Sequence, residues 1–535
     1  MPVDPEFFAA SRSYLPRNYL LQGQMMSVTS VVIGSVILCV SSTFAYKWHI
    51  EKQRPPLPPS PKGDPILGHL RYMPTEYEEV AYKVWGDELG SSIISVKLLG
   101  QVIIVLNSIE DANELLVKRA LQYSNRLQIP MLSTTHTYLL PITGWGNGTA
   151  LLSYNDRWRG QRRVTHEVLQ KKTLKTIWPS MIKQTRLSMQ RMPDATDFEA
   201  EITRMVGAVV LQSAYGYEVT EANDRMVEIA KAGMKGFSDA SMPADFLVNV
   251  IPWLEYVPSW FPGAGWKQNS RAWSKAREDL LTVPFEWTKQ QMANGTALPS
   301  TLNTILTELA NSESKVDQVE EEDRIKWAIG SLYAGITTSS VLVFMLAMIH
   351  NPDVQVRAQE EIDAIIGDQR LPEMEDQDNL PYIGWVIKEV LRWRPVVPLG
   401  VPHACAEDDM YKGYLIPKNA VVMGNAWAMC YNPEIYADPE RFNPVRFMDP
   451  TTPDPPAFGF GRRICPGQHF AEISLFLTIA TMLSVFDIKP TKDEQGRSVT
   501  PDTKLTTNSL IRFPFPFQCS VKPRSEAKRG LLFQS

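Results

Sequence analysis

A glycine-rich loop with one cysteine stands directly before a long apolar segment near the C-terminal end of the sequence. The loop covers residues 458–467, and residues 468–486 are predicted to form a helix. Gly461 and Gly467 allow tight turns and a close approach of the backbone to a flat ligand. Cys465 is therefore expected where the loop meets the helix N-terminus. Unpaired N–H groups and the helix dipole at that place favour a thiolate and lower the pKa of the thiol.

The spacing of this loop is more specific than a lone cysteine, which is ordinarily a small buried hydrophobic residue. The five fixed positions of the pattern F-x-x-G-x-R-x-C-x-G should arise by chance in roughly one chain in ten thousand. The segment resembles the haem-binding loop of the cytochrome P450 family. That resemblance implies haem b as the cofactor and Cys465 as the thiolate and metal ligand of the haem iron. It also implies cofactor contacts from Phe458 and from Arg463, which would pair with a haem propionate.

A second pair of segments follows the order found in this family. Glu389 and Arg392 stand three apart on a predicted helix, a spacing that is common on solvated helix faces. Residues 439–447 resemble the P-x-x-F-x-P-x-R-F segment of the family, which brings Arg446 to the same pair. We interpret Glu389, Arg392 and Arg446 as a buried charge network that fixes the cysteine loop and takes no part in the chemistry.

Further cofactor contacts are predicted from the segment Trp158 to Arg162, which matches the W-x-x-x-R helix of the family. The resemblance implies that Trp158 and Arg162 hydrogen-bond a haem propionate, with Arg163 as the competing candidate. His403 aligns with another propionate contact, and Arg126 is a fainter one. Without the cysteine loop, an amphipathic helix with a basic face and a structural histidine would explain the same residues.

The segment Ala334-Gly335-Ile336-Thr337-Thr338-Ser339 departs from the family pattern A/G-G-x-D/E-T-T/S, because it contains no acid. Counting from Gly335 puts Thr337 at the acid position and Thr338 at the threonine, whereas counting back from Asn351 suggests a local deletion. Either count leaves the proton-relay acid missing. Thr337 and Thr338 are the predicted catalytic residues, and the alternative is that their hydroxyls only bond back to the helix.

Size and composition fit one large catalytic unit. The 535 residues contain no long polar spacer, and 44% of them are hydrophobic. A net charge of -5 argues against a general nucleic-acid binder, and the five cysteines have no zinc or disulfide spacing. The resemblance runs from about Pro55 to Pro523 and implies a mainly α-helical fold with small β-sheets. An early hairpin is expected from residues 92–98 and 101–107.

The N-terminal part reads as a membrane anchor. Residues 1–24 form an extension, residues 25–46 a predicted transmembrane helix, and residues 47–63 a polar and proline-rich hinge before the haem-binding catalytic domain, 64–535. A cleaved signal peptide is the alternative. Basic residues after the span put the domain in the cytosol, at the endoplasmic reticulum membrane, where the sequons at Asn147 and Asn294 would stay unused.

The resemblance implies a monooxygenase that inserts one oxygen atom from O2 into an apolar small molecule. Electrons would come from an NADPH-dependent cytochrome reductase, since no flavin or nicotinamide motif is visible in the chain. The surroundings of Met348 and residues 414–418 are similar to fungal enzymes of secondary metabolism. The missing acid keeps two alternatives open. One is a haem-thiolate isomerase, dehydratase or peroxide-using enzyme, and the other is a non-catalytic haem-binding protein.

Overall fold

The computed structural model describes residues 53–133, 143–221, 223–241, 246–250, 252–262, 264–311, 317–332, 336–507 and 509–534, with a few single positions between 31 and 42. Most of the predicted membrane span, residues 25–46, lies outside the described residues, as do Ala334 and Gly335. The chain divides into two compact units. One comprises Met1–Leu57 with Met410–Leu415, and the other comprises Pro58–Asp409 with Ile416–Ser535.

In the first unit, the backbone N–H of Leu415 donates to the carbonyl of Pro56 over 2.8 Å. The boundary between Leu57 and Pro58 falls inside the predicted hinge, residues 47–63. Proline fixes φ and removes a backbone donor, so this stretch takes no regular structure after Arg54.

Helices make up most of the second unit. Their bounds are α1 Glu78–Glu88, α2 Ile109–Ala112, α3 Ala120–Tyr123, α4 Pro130–Ser133, α5 Asp156–Leu169, α6 Lys171–Arg191, α7 Phe198–Tyr215, α8 Arg225–Ala240, α9 Leu247–Val250, α10 Trp266–Ala293, α11 Thr301–Asn311, α12 Gln318–Gly330, α13 Ile336–His350, α14 Pro352–Ile365, α15 Pro381–Trp393, α16 Ala426–Cys430, α17 Gln468–Val485 and α18 Glu526–Gly530. A π-helical turn and short 3-10 helices add Asn113–Lys118, Trp145–Asn147, Met192–Asp194, Pro252–Tyr256, Met374–Asn379, Pro444–Met448, Gly461–Arg463 and Leu531–Phe533.

The strands are short and form small sheets. Their bounds are β1 Ile93–Leu98, β2 Gln101–Leu106, β3 Asn125–Arg126, β4 His403–Ala404, β5 Asp409–Tyr411, β6 Tyr414–Ile416, β7 Val421–Gly424, β8 Phe486–Lys492, β9 Ser498–Val499 and β10 Cys519–Pro523. The largest sheet has the order β1-β2-β7-β4-β3, and only β2 and β7 within it are parallel. A second sheet has the order β10-β8-β9, and β5 pairs with β6. The predicted class, mainly α-helical with small sheets, is confirmed.

The predicted hairpin is formed by β1 and β2, which pair antiparallel from Ile93 opposite Leu106 to Leu98 opposite Gln101. Leu99 and Gly100 make the two-residue turn with φ of 47° and 96°. Positive φ at both positions matches the right-handed twist of the strands that they join.

Helix boundaries follow the local signals in the sequence. Ser108 caps α2 by accepting a hydrogen bond from the backbone N–H of Asp111 over 3.1 Å. Pro352 opens α14, where its fixed φ suits the first helical turn, and Gly367 follows the end of that helix with φ of 74°. Such a positive φ suits the glycine that ends a helix.

The main hydrophobic core lies where α13, α14, α15 and α17 pack together. Phe344, Ile383, Phe476 and Phe486 are all fully buried within it. Among the described residues, α17 is long and apolar enough to cross a membrane, yet most of that helix lies inside the protein. We therefore interpret α17 as a helix of the hydrophobic core that directly follows the loop containing Cys465.

Candidate functional site

A single cavity of about 820 Å³ brings the predicted site residues together. The predicted residues that line it are Trp158, Arg162, Thr337, Thr338, His403, Phe458, Arg463 and Cys465. These residues come from α5, α13, β4 and the loop before α17. Residues more than 300 positions apart in the sequence therefore line the same cavity.

The loop before α17 is held by its own backbone. The N–H of Cys465 donates to the carbonyl of Phe458 over 2.8 Å, which closes the loop. Gly461 has φ of 54°, and a Cβ there would collide with the carbonyl oxygen of Leu116. Only glycine fits this turn, because it both tolerates the positive φ and leaves room for the neighbouring backbone.

The predicted low pKa of the Cys465 thiol is wrong for the chain without a metal. Burial raises the pKa of Cys465 above its ordinary value, while a hydrogen bond from the Gly467 backbone and the charge of Arg162 act in the opposite direction. Burial disfavours the charged form more strongly than the helix N-terminus favours it. A metal ion bound at Cys465 would supply the missing positive charge, because coordination deprotonates a thiol.

Arg463 is buried beside Cys465 and is only partly satisfied. Its Nε donates to the carbonyl of Ser124 and its Nη2 to the carbonyl of Leu152, each over 2.7 Å. Its guanidinium lies over the ring of Trp158, 4.3 Å from the centroid. Nη1 is buried and has no hydrogen-bond partner in the described part of the chain. Burial and the charge of Arg162 lower the pKa of Arg463 to about 10.

Arg162, not Arg163, faces the cavity. Arg162 donates from Nη2 to the carbonyl of Ile464 over 2.7 Å and so ties α5 to the cysteine loop. Arg163 is exposed on the other side of the helix. Asn155 caps α5 by accepting a hydrogen bond from the backbone N–H of Trp158 over 2.9 Å. This cap fixes the residue at which the helix begins.

His403 and Arg126 are opposite each other in the β3–β4 pair. The Nδ1 of His403 lies 2.7 Å from the carbonyl of Tyr123, so Nδ1 carries the proton. Burial, with the charge of Arg126 added, holds the pKa of His403 well below its ordinary value, so the ring is neutral. A propionate contact would therefore require protonation at Nε2, which a neighbouring carboxylate would favour.

Arg126 is buried among carbonyl groups. It donates from Nε to Ala150 over 3.1 Å and from Nη1 to Val401 over 2.5 Å. Burial and the charge of Arg463 hold its pKa well below the ordinary value. Arg126 was only weakly indicated by the family resemblance, and its side chain lines the cavity together with the other predicted cofactor contacts.

The donor set fits haem. Arg126 and Arg463 are buried cations that repel each other, and Nη1 of Arg463 still needs an acceptor. Buried charges are normally paired, so this cavity is suited to bind an anion. Two propionates would supply it, and Cys465 on the same wall would supply a thiolate to the iron.

Thr337 and Thr338 lie in the first turn of α13, and both are buried with their side chains on the cavity wall. The residues four positions before them lie outside the described residues, so back-bonding to the helix stays an open alternative. Ser339 points elsewhere and donates to the carbonyl of Arg512 over 2.5 Å.

The predicted charge network is present. Arg392 donates from Nε and Nη2 to the two carboxylate oxygens of Glu389, each over 2.8 Å. The Nε of Arg446 donates to the Glu389 carboxylate over 3.2 Å, and the backbone N–H of Asn443 donates to the same carboxylate. Arg392 also donates to the carbonyl of Cys430 over 3.0 Å. The network joins α15 to the segments around Cys430 and Arg446, away from the cavity wall.

Sequence reasoning missed the apolar side of the cavity. Met234 and Phe237 on α8 line it together with Leu510 and Ile511. These residues carry no motif, because any apolar side chain of similar size could fill such positions. Only the fold brings them to the site.

Comparison with known proteins agrees with this geometry. The family model described as cytochrome P450 matches residues 58–514. Cytochrome P450 monooxygenase 208 of Postia placenta is 39% identical over 504 residues, which cover 92% of this chain and 95% of the relative. Cytochrome P450 monooxygenase claR of Ampulloclitocybe clavipes is 34% identical, covering 99% and 97%.

A third relative is named for the compound that it oxidises. Tryptamine 4-monooxygenase of Psilocybe cyanescens is 33% identical over 509 residues, which cover 93% of this chain and 98% of the relative. The family match spans most of the chain and includes the cysteine loop, α5 and α13. The chain therefore belongs to the cytochrome P450 family of oxidoreductases, whose members carry haem iron.

Proposed function

We propose that this chain is a haem-thiolate monooxygenase that inserts one oxygen atom from O2 into an apolar small molecule. The observation that carries the proposal is the single cavity in which Cys465, the unsatisfied Arg463 and the hydroxyls of Thr337 and Thr338 meet. Bound haem b would supply the chemistry, by binding dioxygen and transferring one of its oxygen atoms to the substrate.

The cofactor would be held by residues of the cysteine loop and of α5. Cys465 would supply the thiolate ligand to the iron, and Phe458 would contact the haem. Arg463 would bind one propionate through Nη1, and Trp158 would hold Arg463 in place by its ring. Arg162 would be a further cofactor contact from α5. Its hydrogen bond to the carbonyl of Ile464 supports a second role in fixing the cysteine loop.

His403 would contact the second propionate with Arg126 beside it. The two residues are opposite each other in a strand pair, so their separation is set by the backbone. Burial and then neighbouring positive charge lower the pKa of both groups, and a propionate there would offset that charge.

Thr337 and Thr338 would position water in the cavity. Their hydroxyls can donate and accept, so they can hold and pass on a proton there without an acid of their own. The family pattern has a carboxylate in this segment, and this chain has threonine. We expect proton delivery to be slower than with a carboxylate, and part of the reducing power to leave as peroxide.

The substrate would be apolar. Met234, Phe237, Leu510 and Ile511 supply an apolar wall to the cavity, which favours burial of hydrocarbon. The relatives reported above are fungal, and one is named for oxidation of tryptamine. They support a role in fungal secondary metabolism.

Electrons would come from an NADPH-dependent cytochrome reductase at the endoplasmic reticulum membrane. Residues 25–46 would anchor the chain by one helix, with the catalytic domain, 64–535, facing the cytosol. A membrane anchor would keep the enzyme on the same surface as a membrane-bound reductase and near apolar substrates.

A second candidate keeps the haem thiolate without external reduction, as in an isomerase, a dehydratase or a peroxide-using enzyme. The absence of an acid from residues 334–339 favours it. Such an enzyme would not need protons delivered to bound dioxygen.

Incubation with reductase, NADPH and isotopically labelled dioxygen tests the first candidate. Candidate substrates would come from untargeted metabolite comparison of a deletion strain with its parent. Monooxygenation predicts one labelled oxygen atom in the product and NADPH-dependent turnover. Product formation without NADPH, and without label, would establish the second candidate instead.

A further inference from the structure

The cavity that contains Cys465 continues between α6, α7 and α11. Thr173, Thr176 and Ser180 on α6 line it at intervals of three and four residues. This spacing places them on one face of the helix, turned toward the cavity. We call this part of the cavity the polar arm. Its wall consists of Thr173, Thr176 and Ser180 on α6 together with the residues of α7 and α11 that line the cavity.

The other two helices also contribute hydroxyls to the cavity wall. Thr203 and Ser213 on α7 line the cavity, and so do Thr301 and Thr304 on α11. Glu308 follows Thr304 one helical turn later. A gap between packed helices is ordinarily lined by apolar side chains. Three helices that each turn hydroxyls toward the same space make that space suitable for water.

Several of these hydroxyls already use their proton. Thr176 donates to the carbonyl of Thr173 over 2.7 Å, Ser213 donates to Val209 over 2.8 Å, and Thr304 donates to Ser300 over 3.1 Å. Each oxygen keeps lone pairs that can accept a hydrogen bond from water. The wall therefore offers acceptors to a file of water molecules.

The polar arm runs from the surface to the interior. Thr176, Thr304 and Glu308 are exposed, whereas Val210, on the same cavity wall, is 8% exposed. Its helices are tied together by polar contacts, since Ser180 donates to the Gln212 side chain over 2.5 Å.

Polar groups also stand at the inner part of the cavity. Thr149 and Ser331 both line it, and the backbone N–H of Thr149 donates to the Ser331 hydroxyl over 3.4 Å. The Ser331 hydroxyl in turn donates to the carbonyl of Trp327 over 2.7 Å. The same cavity is also lined by Thr337 and Thr338 at the start of α13, so the arm and these two hydroxyls open into one space.

We propose that the polar arm is a water-filled route that carries protons from solvent to Thr337 and Thr338, in place of the carboxylate missing from α13. Each transfer moves a proton from one water to the next along hydrogen bonds, and nothing is oxidised or reduced in the route. The proposal rests on the monooxygenase function, because only reduction of dioxygen consumes protons at this place.

Thiol labelling tests whether water fills the arm, and it requires no turnover. Val210 and Val209 are neighbours on α7 and both are buried, but only Val210 lines the cavity. In the haem-loaded protein we expect a charged methanethiosulfonate reagent to modify Val210→Cys at least about tenfold faster than Val209→Cys, because thiol reactivity follows access. Equal rates would overturn the water-filled arm.

A substitution that blocks the arm with a bulky side chain tests whether the arm carries protons. Ser213→Phe fills the arm, and Ala200→Phe places the same ring on an exposed part of α7. We expect Ser213→Phe to lower product formed per NADPH several-fold and to raise peroxide release, with substrate affinity and carbon monoxide binding unchanged. Ala200→Phe should leave all four quantities as in the wild type.

Two results would overturn the proton route. Unchanged coupling in Ser213→Phe would mean that protons arrive elsewhere. Weaker substrate binding with unchanged coupling would make the arm a passage for substrate. If wild-type protein consumes no NADPH with any substrate, the monooxygenase function fails, whereas the labelling result still decides whether the arm holds water.

Discussion

At the scale of single residues, buried charges differ in whether the chain itself balances them. Glu389 is fully buried, and Arg392 and Arg446 neutralise it by direct hydrogen bonds. Arg463 and Arg126 are buried as well, but within the described residues neither has a carboxylate partner, and the charge of Arg463 acts on Arg126. The chain itself pairs the charges of the first group, whereas the second group needs an anion in the cavity to be paired.

Replacing Arg392 by alanine should destabilise the protein strongly. The change leaves the buried Glu389 carboxylate with only Arg446 and the backbone N–H of Asn443 as partners, and breaking a buried pair in this way costs about 3–5 kcal/mol. We expect a lower thermal unfolding temperature and a lower yield of haem-loaded protein. Product choice in the surviving protein should stay unchanged.

Lys83→Ala is the matched control, since it removes one partner of the exposed pair with Asp87. Its effect on unfolding should stay within about 0.5 kcal/mol. A fully loaded Arg392→Ala protein of normal stability, with altered regiochemistry, would contradict the structural role.

Thr337→Asp should increase the product formed per NADPH. General acid delivery typically contributes about a hundredfold to ten-thousandfold, and water held by Thr337 and Thr338 can recover only part of this. Thr338→Ala should do the opposite and raise peroxide release. NADPH consumed, peroxide released and product formed are measured for the wild type and both variants under one set of conditions.

Tight coupling in wild-type protein, unaffected by either substitution, would assign these two hydroxyls a structural role. Cavity volume alone cannot produce the increase, because aspartate and threonine are similar in size. Thr337→Asn therefore serves as the control for shape without charge, and it should not improve coupling.

At the scale of elements, the loop between Phe458 and Gly467 depends on backbone geometry more than on side chains. Gly461→Ala should prevent this loop from closing for two reasons. A Cβ at this position would collide with the Leu116 carbonyl oxygen, and the positive φ of Gly461 is strained for any residue with a side chain. We expect little haem-loaded protein. Gly496→Ala is the control, since Gly496 has φ of 78° with nothing within 4 Å of a Cβ.

Gly496→Ala should cost about 1–3 kcal/mol from backbone strain and should keep the cofactor. Haem content per folded chain, measured by absorbance, separates the two variants. Equal haem loading in both would show that the contact with Leu116 does not position Cys465.

Elements with strong local signals were predictable from the sequence. The β1–β2 hairpin, the cap at Ser108 and the start of α14 at Pro352 depend on nearby residues, and the structure has each of them. The thiol pKa of Cys465 was predicted wrongly, because burial depends on packing by the whole fold and overcomes the local effect of the helix N-terminus.

The polar arm could not be predicted for a similar reason. Thr173, Thr176 and Ser180 read as the solvated face of an amphipathic helix when α6 is considered alone. Only the packing of α7 and α11 against the same space turns this face into a cavity wall. Similarly, Arg126 gains its role from the strand pair with His403, which the sequence could not place.

At the scale of the whole molecule, the proposed anchor and the catalytic unit should be separable. The second compact unit begins at Pro58 and contains the main core and the cavity. Removing residues 1–54 should therefore release the protein from membranes and leave carbon monoxide binding intact. Sedimentation with membranes, followed by a carbonate wash, measures the release.

Continued tight association of the truncated chain would contradict an anchor of one helix. It would direct attention to exposed apolar residues of the second unit, such as Trp260, which is 79% exposed, and Phe261 beside it. A variant that carries serine at both positions, in the truncated background, would then identify the surface.

The central claim is that Cys465 ligates haem iron, and the carbon monoxide spectrum of the reduced protein tests it directly. Wild-type protein should give the strongly red-shifted Soret band of thiolate ligation, as should Cys519→Ala, which removes a thiol from β10. Cys465→Ala should lose that band, either with haem retained through other contacts or with haem lost. A red-shifted band that persists in Cys465→Ala would contradict the assignment.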